Sequence, residues 1–207
     1  MVLSLDISEV NISLFRFVNN LGKEYSFLNP TFIFIAEYMV FLLALSILFI
    51  WFTRDTDSRI MILCASIAFI CAFTIGKVSG VFHSNYQPFV ELNDVNKLIQ
   101  KEKDNSFPSD HTILFFSYCF SFWLFKRGWS FLWVLLAVLV GVSRIWVGVH
   151  YPLDVLTGIL ISSAAATLIY LIFPKLSVTQ TTIKIYEKYE NKLLLFKKTM
   201  GNKSKNS

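Results

Sequence analysis

The feature that most constrains this chain is a series of apolar runs that one soluble core could not absorb. About 20 mostly apolar residues cross a ~30 Å hydrocarbon layer as a helix. Five stretches meet or approach that length: residues 30–53, 60–82, 110–125, 129–148 and 153–173, each bounded by charged residues or a Pro or Gly break. The last three are short. Composition agrees: 55% of the 207 residues are hydrophobic, 16% are charged, and 21 are Phe. The expected fold is all-α, a polytopic membrane bundle of five spans, with six as the alternative.

The flanks read differently. Residues 8–20 mix Ile12, Leu14, Phe15, Phe17 and Val18 with polar residues, the pattern of an amphipathic helix lying on a membrane. Residues 183–196 combine Ile, Tyr and Leu with Lys184, Lys188 and Lys192 and also read as interfacial, and 199–207 as a frayed end. The chain therefore divides into an interfacial segment 1–29, a membrane domain 30–173 and a basic tail 174–207. Asp6 and Glu9 precede the first basic residue, Arg16, unlike a secretory signal, so the spans themselves are expected to drive insertion.

Loop charge sets the orientation. One side carries Arg54, Arg59, Lys126, Arg127 and eight lysines of the tail, twelve in all, and the other Arg16, Lys23, Lys97, Lys101 and Lys103. The richer side is expected to be cytoplasmic, which turns the 83–109 segment and the 149–152 turn outward. Because eight of the 19 basic residues follow Pro174, the net charge of +5 points to anionic headgroups and not to nucleic acid. Cys64, Cys71 and Cys119 all lie in apolar runs and are read as packing residues.

Ionisable residues at span ends are costly in lipid and so mark function. By this topology four sets meet at the outward face: Lys77; Ser109, Asp110 and His111; Ser143 and Arg144; and His150 and Asp154. The third and fifth spans both start there, with Pro108 and Pro152 suited to first-turn positions. Their free amides and helix dipoles form a ready anion site, and the Arg144 fork matches phosphate oxygens. His150 with Asp154 four residues on has the form of a nucleophile whose tautomer is fixed by a carboxylate. His111 is placed as a general acid. Asp110 is read as a positioning or specificity element, Glu37 either as a partner of Lys77 or as acting near the headgroup, and Tyr151 and Trp146 as candidate contacts to a lipid chain.

At these residues the sequence resembles the type 2 phosphatidic acid phosphatase superfamily. Pro108-Ser109-Asp110-His111 is similar to its Pro-Ser-Gly-His signature. Ser143, Arg144, His150 and Asp154 match the next signature in full. The strings NSFPSDHT and GVSRIWVGVHYPLDVLTG resemble its bacitracin-resistance branch, the BcrC-type undecaprenyl-diphosphatases. The first signature, Lys, six residues, then Arg-Pro, is altered: Gln87 precedes Pro88, Gly80 stands at the Lys position, and Lys77 lies one turn earlier.

The resemblance implies an acid phosphatase/vanadium haloperoxidase-like core without metal or other cofactor. His150 is then the nucleophile of a phosphohistidine mechanism, Asp154 its orienting partner and His111 the acid. Ser109, Ser143 and Arg144, with Lys77, Gln87 and Asp110, surround the phosphate. The implied reaction is hydrolysis of undecaprenyl diphosphate at the outer face of a bacterial cytoplasmic membrane, recycling the carrier lipid of peptidoglycan synthesis. A phosphatase for phosphatidylglycerophosphate or phosphatidic acid, and a transport or non-catalytic lipid-binding relative, are the alternatives.

Overall fold

The computed structural model describes residues 7–203, with side chains as far as Lys192. The elements in chain order are α1 (Ile7–Glu24), α2 (Asn29–Phe52), α3 (Thr56–Phe82), the short α4 (Pro88–Glu91), α5 (Asp110–Lys126), α6 (Phe131–Trp146), α7 (Pro152–Ile172) and α8 (Ser177–Lys203).

Among the described residues four helical stretches are long and apolar enough to cross a membrane: Ser26–Phe52, Thr56–Phe82, Gly128–Trp146 and Pro152–Lys175. Four helices, and not the expected five or six, therefore meet that length and apolarity on their own. The segment expected at 110–125 forms α5, whose 17 residues extend only about 26 Å at ~1.5 Å per residue. It is also the helix least in need of lipid. It packs against α3, α6 and α7 together, and its Phe115, Phe116, Cys119 and Phe122 build the core with Ile35, Leu43, Met61, Ile62 and Val140. A helix enclosed on several sides can carry Ser117 and Ser121, which are buried here, without exposing them to hydrocarbon.

Small side chains let the helices approach this closely. Ala65, Ala68, Ala72, Gly76 and Gly80 recur every three or four residues on α3, and all are buried. A Cβ on Gly76 would stand 2.7 Å from Ile113 Cδ1, and one on Gly80 2.7 Å from the Phe107 carbonyl oxygen. Small residues at membrane helix contacts favour such close backbone approach. At the far end, Lys126 at the close of α5 pairs with Asp55, the N-cap of α3, at 3.1 Å. The two helices therefore run antiparallel along their shared length. Phe41, Phe49, Phe52, Ile70, Val81, Leu160 and Leu168 point away from the protein, an apolar exterior that suits lipid and not water.

The terminal helices are tied to the bundle. On α1, Phe15, Asn19 and Gly22 are buried, while Ile7, Val10, Leu14 and Phe17 remain exposed. The Asn19 side chain donates to the Trp146 carbonyl at 2.8 Å and accepts from the Asn96 amide at 2.9 Å, so one face of this amphipathic helix is committed to protein. On α8, Glu190 pairs with the buried Arg59 at 2.8 Å and Glu187 with the same guanidinium at 3.5 Å, docking the tail helix on the start of α3. The frayed end expected at 199–207 falls partly on the last turn of α8, and 204–207 lie outside the described residues.

Candidate active site

The first turns of α5 and α7 meet at one end of the bundle, where the Ser109 amide donates to the Asp154 carbonyl at 3.2 Å. The α6–α7 reversal delivers His150 to this point. That reversal depends on Gly148, which has φ +83° and whose added Cβ would lie 2.8 Å from the Asn96 carbonyl oxygen. Only glycine takes that backbone without strain or collision. Pro152 opens α7 in its first turn as expected, whereas Pro108 lies one residue before Ser109, the N-cap of α5, and packs on Gly76.

His150 is 2% exposed and Asp154 1%. Asp154 Oδ2 stands 3.5 Å from His150 Nδ1, too far for a good direct hydrogen bond. Ser106 fills the interval. Its hydroxyl donates to Asp154 Oδ2 at 2.5 Å and lies 3.2 Å from Nδ1, where it accepts the ring proton. The Tyr151 amide also donates to Oδ2, at 2.8 Å. This arrangement favours the tautomer with the proton on Nδ1 and a lone pair on Nε2. Burial pushes the His150 imidazole down to about 4 despite the upward pull of Asp154, with Lys101 and Arg144 pushing the same way as burial. The ring is thus neutral, and nucleophilic, near neutral pH.

The surroundings of that nitrogen are cationic. Arg144, 3% exposed, donates from Nη1 to the Ala36 carbonyl at 2.9 Å, and its buried Nε meets no acceptor among the described residues. A buried guanidinium N–H without an acceptor is uncommon and points to an anion as its partner. His111, in the first turn of α5, is within electrostatic reach of Arg144, His150 and Lys101. The N-cap Ser109 does not bond back to the first amides of α5, so its N-terminus keeps the donors that suit an anion. At α7 the expectation fails, because Asn11 of α1 accepts from the Leu153 amide at 3.0 Å.

Other expected site residues stand differently. Lys77 pairs with Asp110 at 2.8 Å, both side chains about half exposed at the rim. Glu37 therefore does not pair with Lys77; its charge acts on Arg144, beside the Ala36 carbonyl that holds that guanidinium. The buried Ser109 hydroxyl accepts from Thr112 at 3.0 Å, and the buried Ser143 hydroxyl donates to its own helix at Val140, 2.6 Å. Gln87 does not offer its amide to a phosphate. It is fully buried, accepts from the Asp104 amide at 3.1 Å and donates to the Glu102 carbonyl at 3.2 Å. Tyr151 and Trp146 are committed to packing as well. Tyr151 bonds Glu91 at 2.9 Å, and Trp146 stacks on Phe32 with ring centroids 3.9 Å apart.

Two residues escaped the reading of the sequence. Ser106 sits inside the NSFPSDHT string, but a serine three residues before a motif serine carries no signal of contact with His150, 44 residues away. Lys101 lies in a charged loop and places Nζ 3.1 Å from His150 Nε2.

A model of the PAP2 superfamily matches residues 59–177. The chain belongs to the PAP2 superfamily. Within it, the chain is 52% identical over 202 residues to the bacitracin transport permease protein BcrC of Bacillus licheniformis, covering 98% of this chain and 100% of that one. It is 35% identical over 187 residues to undecaprenyl-diphosphatase BcrC of Bacillus subtilis strain 168, covering 89% and 95%. The fold is similar to the crystal structure of Aquifex aeolicus LpxE, with TM-score 0.62 and 27% identity over 77% of this chain and 94% of that one. The region matched by the PAP2 model contains Lys101, Ser106, His111, Arg144, His150 and Asp154 and both helix starts that meet there, whereas Asn11, Ala36 and Glu37 lie before it.

Proposed function

We propose that this protein hydrolyses undecaprenyl diphosphate to undecaprenyl phosphate and inorganic phosphate at the outer face of a bacterial cytoplasmic membrane. The observation that carries this reading is a buried, neutral His150, backed by Ser106 and Asp154, together with a buried Arg144 whose Nε meets no acceptor among the described residues. Kinship with BcrC of Bacillus subtilis, named an undecaprenyl-diphosphatase, supplies the substrate class.

His150 Nε2 attacks the terminal phosphorus; an N–P bond forms as the bond to the bridging oxygen breaks. His111 gives its proton to the departing undecaprenyl phosphate, the negative charge of the diphosphate favouring the imidazolium beforehand. Water then attacks the phosphohistidine, His111 takes its proton, the N–P bond breaks and orthophosphate leaves. Arg144 and the first amides of α5 hold the equatorial oxygens throughout both steps. Ser109 and Ser143 shape the pocket wall, and Lys77 with Asp110 guards its rim.

The membrane placement follows from charge. The end of the bundle opposite His150 holds Arg54, Arg59, Lys126 and Arg127, together with the lysine-rich α8, and is the cytoplasmic side. α5 completes a fifth crossing inside the bundle, and α1 lies at the outer interface. Bacillus licheniformis BcrC is described as a transport permease, but a transport role would leave the Ser106–His150–Asp154 hydrogen bonds without a purpose.

The test is phosphate release by full-length protein in detergent, with EDTA present, from undecaprenyl diphosphate, phosphatidylglycerophosphate and phosphatidic acid. Undecaprenyl diphosphate should be the preferred substrate, and His150→Ala should abolish turnover. Preference for a glycerophospholipid would reassign the substrate. Near-normal turnover by a folded His150→Ala variant would remove the phosphohistidine mechanism. Loss in EDTA restored by magnesium or zinc would replace it with metal catalysis.

A further inference from the structure

The loop that covers His150 brings a cation to the nucleophile. Lys101 Nζ lies 3.1 Å from Nε2, the nitrogen that carries the lone pair once Nδ1 faces Ser106 and Asp154. Its surroundings are crowded with charge: Arg144 from α6, Asp110 from α5, Asp154 from α7, and Asp104 on its own loop. His111 of α5 also feels it. Yet among the described residues no carboxylate comes within ion-pair distance of its ammonium. A largely buried ammonium without a counter-ion is costly, and an anion in the adjoining site would offset that cost.

The loop around Lys101 is held from both sides. Lys97 donates to the Lys101 carbonyl at 2.9 Å. Gln87 clamps the next turn through Glu102 and Asp104. The glutamine that stands where the family resemblance expects arginine thus fixes the backbone that presents a lysine. An arginine at position 87 would have to leave its charge in this buried clamp, with two backbone groups there to satisfy.

We propose that Lys101 is the phosphate-binding cation that replaces an arginine at position 87, capping His150 Nε2 in the resting site and moving onto the non-bridging oxygens of the transferred phosphate when substrate binds. This rests on the phosphatase reading above. Lys101 makes and breaks no covalent bond. Its hydrogen bond passes from nitrogen to oxygen and frees the lone pair for attack. Burial, and after it the charge of Arg144, hold the ammonium down to about 8 against the opposing pull of Asp110, Asp104 and Asp154. The charge is therefore present below that pH and is lost as pH rises through it.

The experiment measures KM for undecaprenyl diphosphate and inhibition by orthovanadate from about pH 6 to about pH 10, a span that brackets the titration of a perturbed lysine. It uses wild type, Lys101→Met, Lys101→Arg and Lys103→Gln, the last a control on an exposed lysine that lies over Tyr86. Wild type should lose affinity for both as pH rises past the Lys101 titration. Lys101→Met should weaken both by about tenfold, the equivalent of ~1.4 kcal/mol, and should flatten that alkaline limb. Lys101→Arg should keep the affinity and push the limb upward, and Lys103→Gln should match wild type.

Wild-type affinities and an unchanged limb in Lys101→Met would overturn the proposal. If that variant does not fold, an unshifted limb in Lys101→Arg overturns it equally. Failure of the phosphatase reading is separately visible as absent phosphate release by wild type, and vanadate-dependent thermal stabilisation still reports on Lys101 in that event.

Discussion

Ser106→Ala tests whether the carboxylate acts on the nucleophile through a hydroxyl. The substitution removes one buried oxygen that donates to Asp154 Oδ2 and accepts from His150 Nδ1. Asp154 keeps the Tyr151 amide, but the imidazole is left 3.5 Å from the carboxylate. Hydrogen bonds involving a charged partner contribute about 1.5–3 kcal/mol. This one strengthens as Nε2 bonds to phosphorus and the ring gains positive charge, so most of the loss falls on the transition state. At ~1.36 kcal/mol per decade, kcat should drop about 10- to 150-fold. KM should change little, because Ser106 contacts the histidine and not the phosphate. The assay is steady-state phosphate release from undecaprenyl diphosphate, with thermal unfolding in the same detergent to establish that the variant is folded. Asp154→Asn should lose more, since it removes the charge that both donors and the developing imidazolium share. A folded Ser106→Ala variant within about twofold of wild type in kcat, a difference of only ~0.4 kcal/mol, would refute the relay and leave Asp154 to act directly. A loss expressed wholly in KM would make Ser106 a substrate contact.

Three further outcomes follow from the same geometry. Because burial holds His150 near 4, kcat/KM should persist as pH falls through the ordinary histidine range and decline only toward that value; a fall centred near ~6.5 would mean that the attacking imidazole is not buried as described. Gln87→Ala should cost about 1–3 kcal/mol by leaving the Glu102 carbonyl and Asp104 amide unpaired, read as a lower melting temperature together with weaker vanadate inhibition, whereas unchanged stability would show that the loop does not depend on the clamp. In a variant lacking Cys64, Cys71 and Cys119, a cysteine at position 93 or 100 should react with an impermeant thiol reagent in intact spheroplasts and one at position 56 or 190 should not; the reverse pattern would turn the site toward the cytoplasm.

Much of this protein is legible in one dimension. The apolar runs determine a helical membrane bundle, because a backbone in hydrocarbon must satisfy its own hydrogen bonds. The pattern Ser143, Arg144, His150, Asp154 sets one residue group across the α6–α7 turn, and local chain geometry alone brings its members together. What the sequence could not decide depends on contacts between distant segments. That α5 is an enclosed helix follows from packing against α3, α6 and α7, and hydropathy does not distinguish burial in protein from burial in lipid. Gln87 read as a weakened phosphate ligand because a motif records position and not direction, and only the fold turns its amide to Glu102 and Asp104. Ser106 and Lys101 reach His150 across 44 and 49 residues. No periodicity encodes such a contact; it exists because Gly76 and Gly80 let the loop settle against α3, where the Asn105 side chain donates from Nδ2 to the Gly80 carbonyl at 2.9 Å and carries its neighbours over the nucleophile.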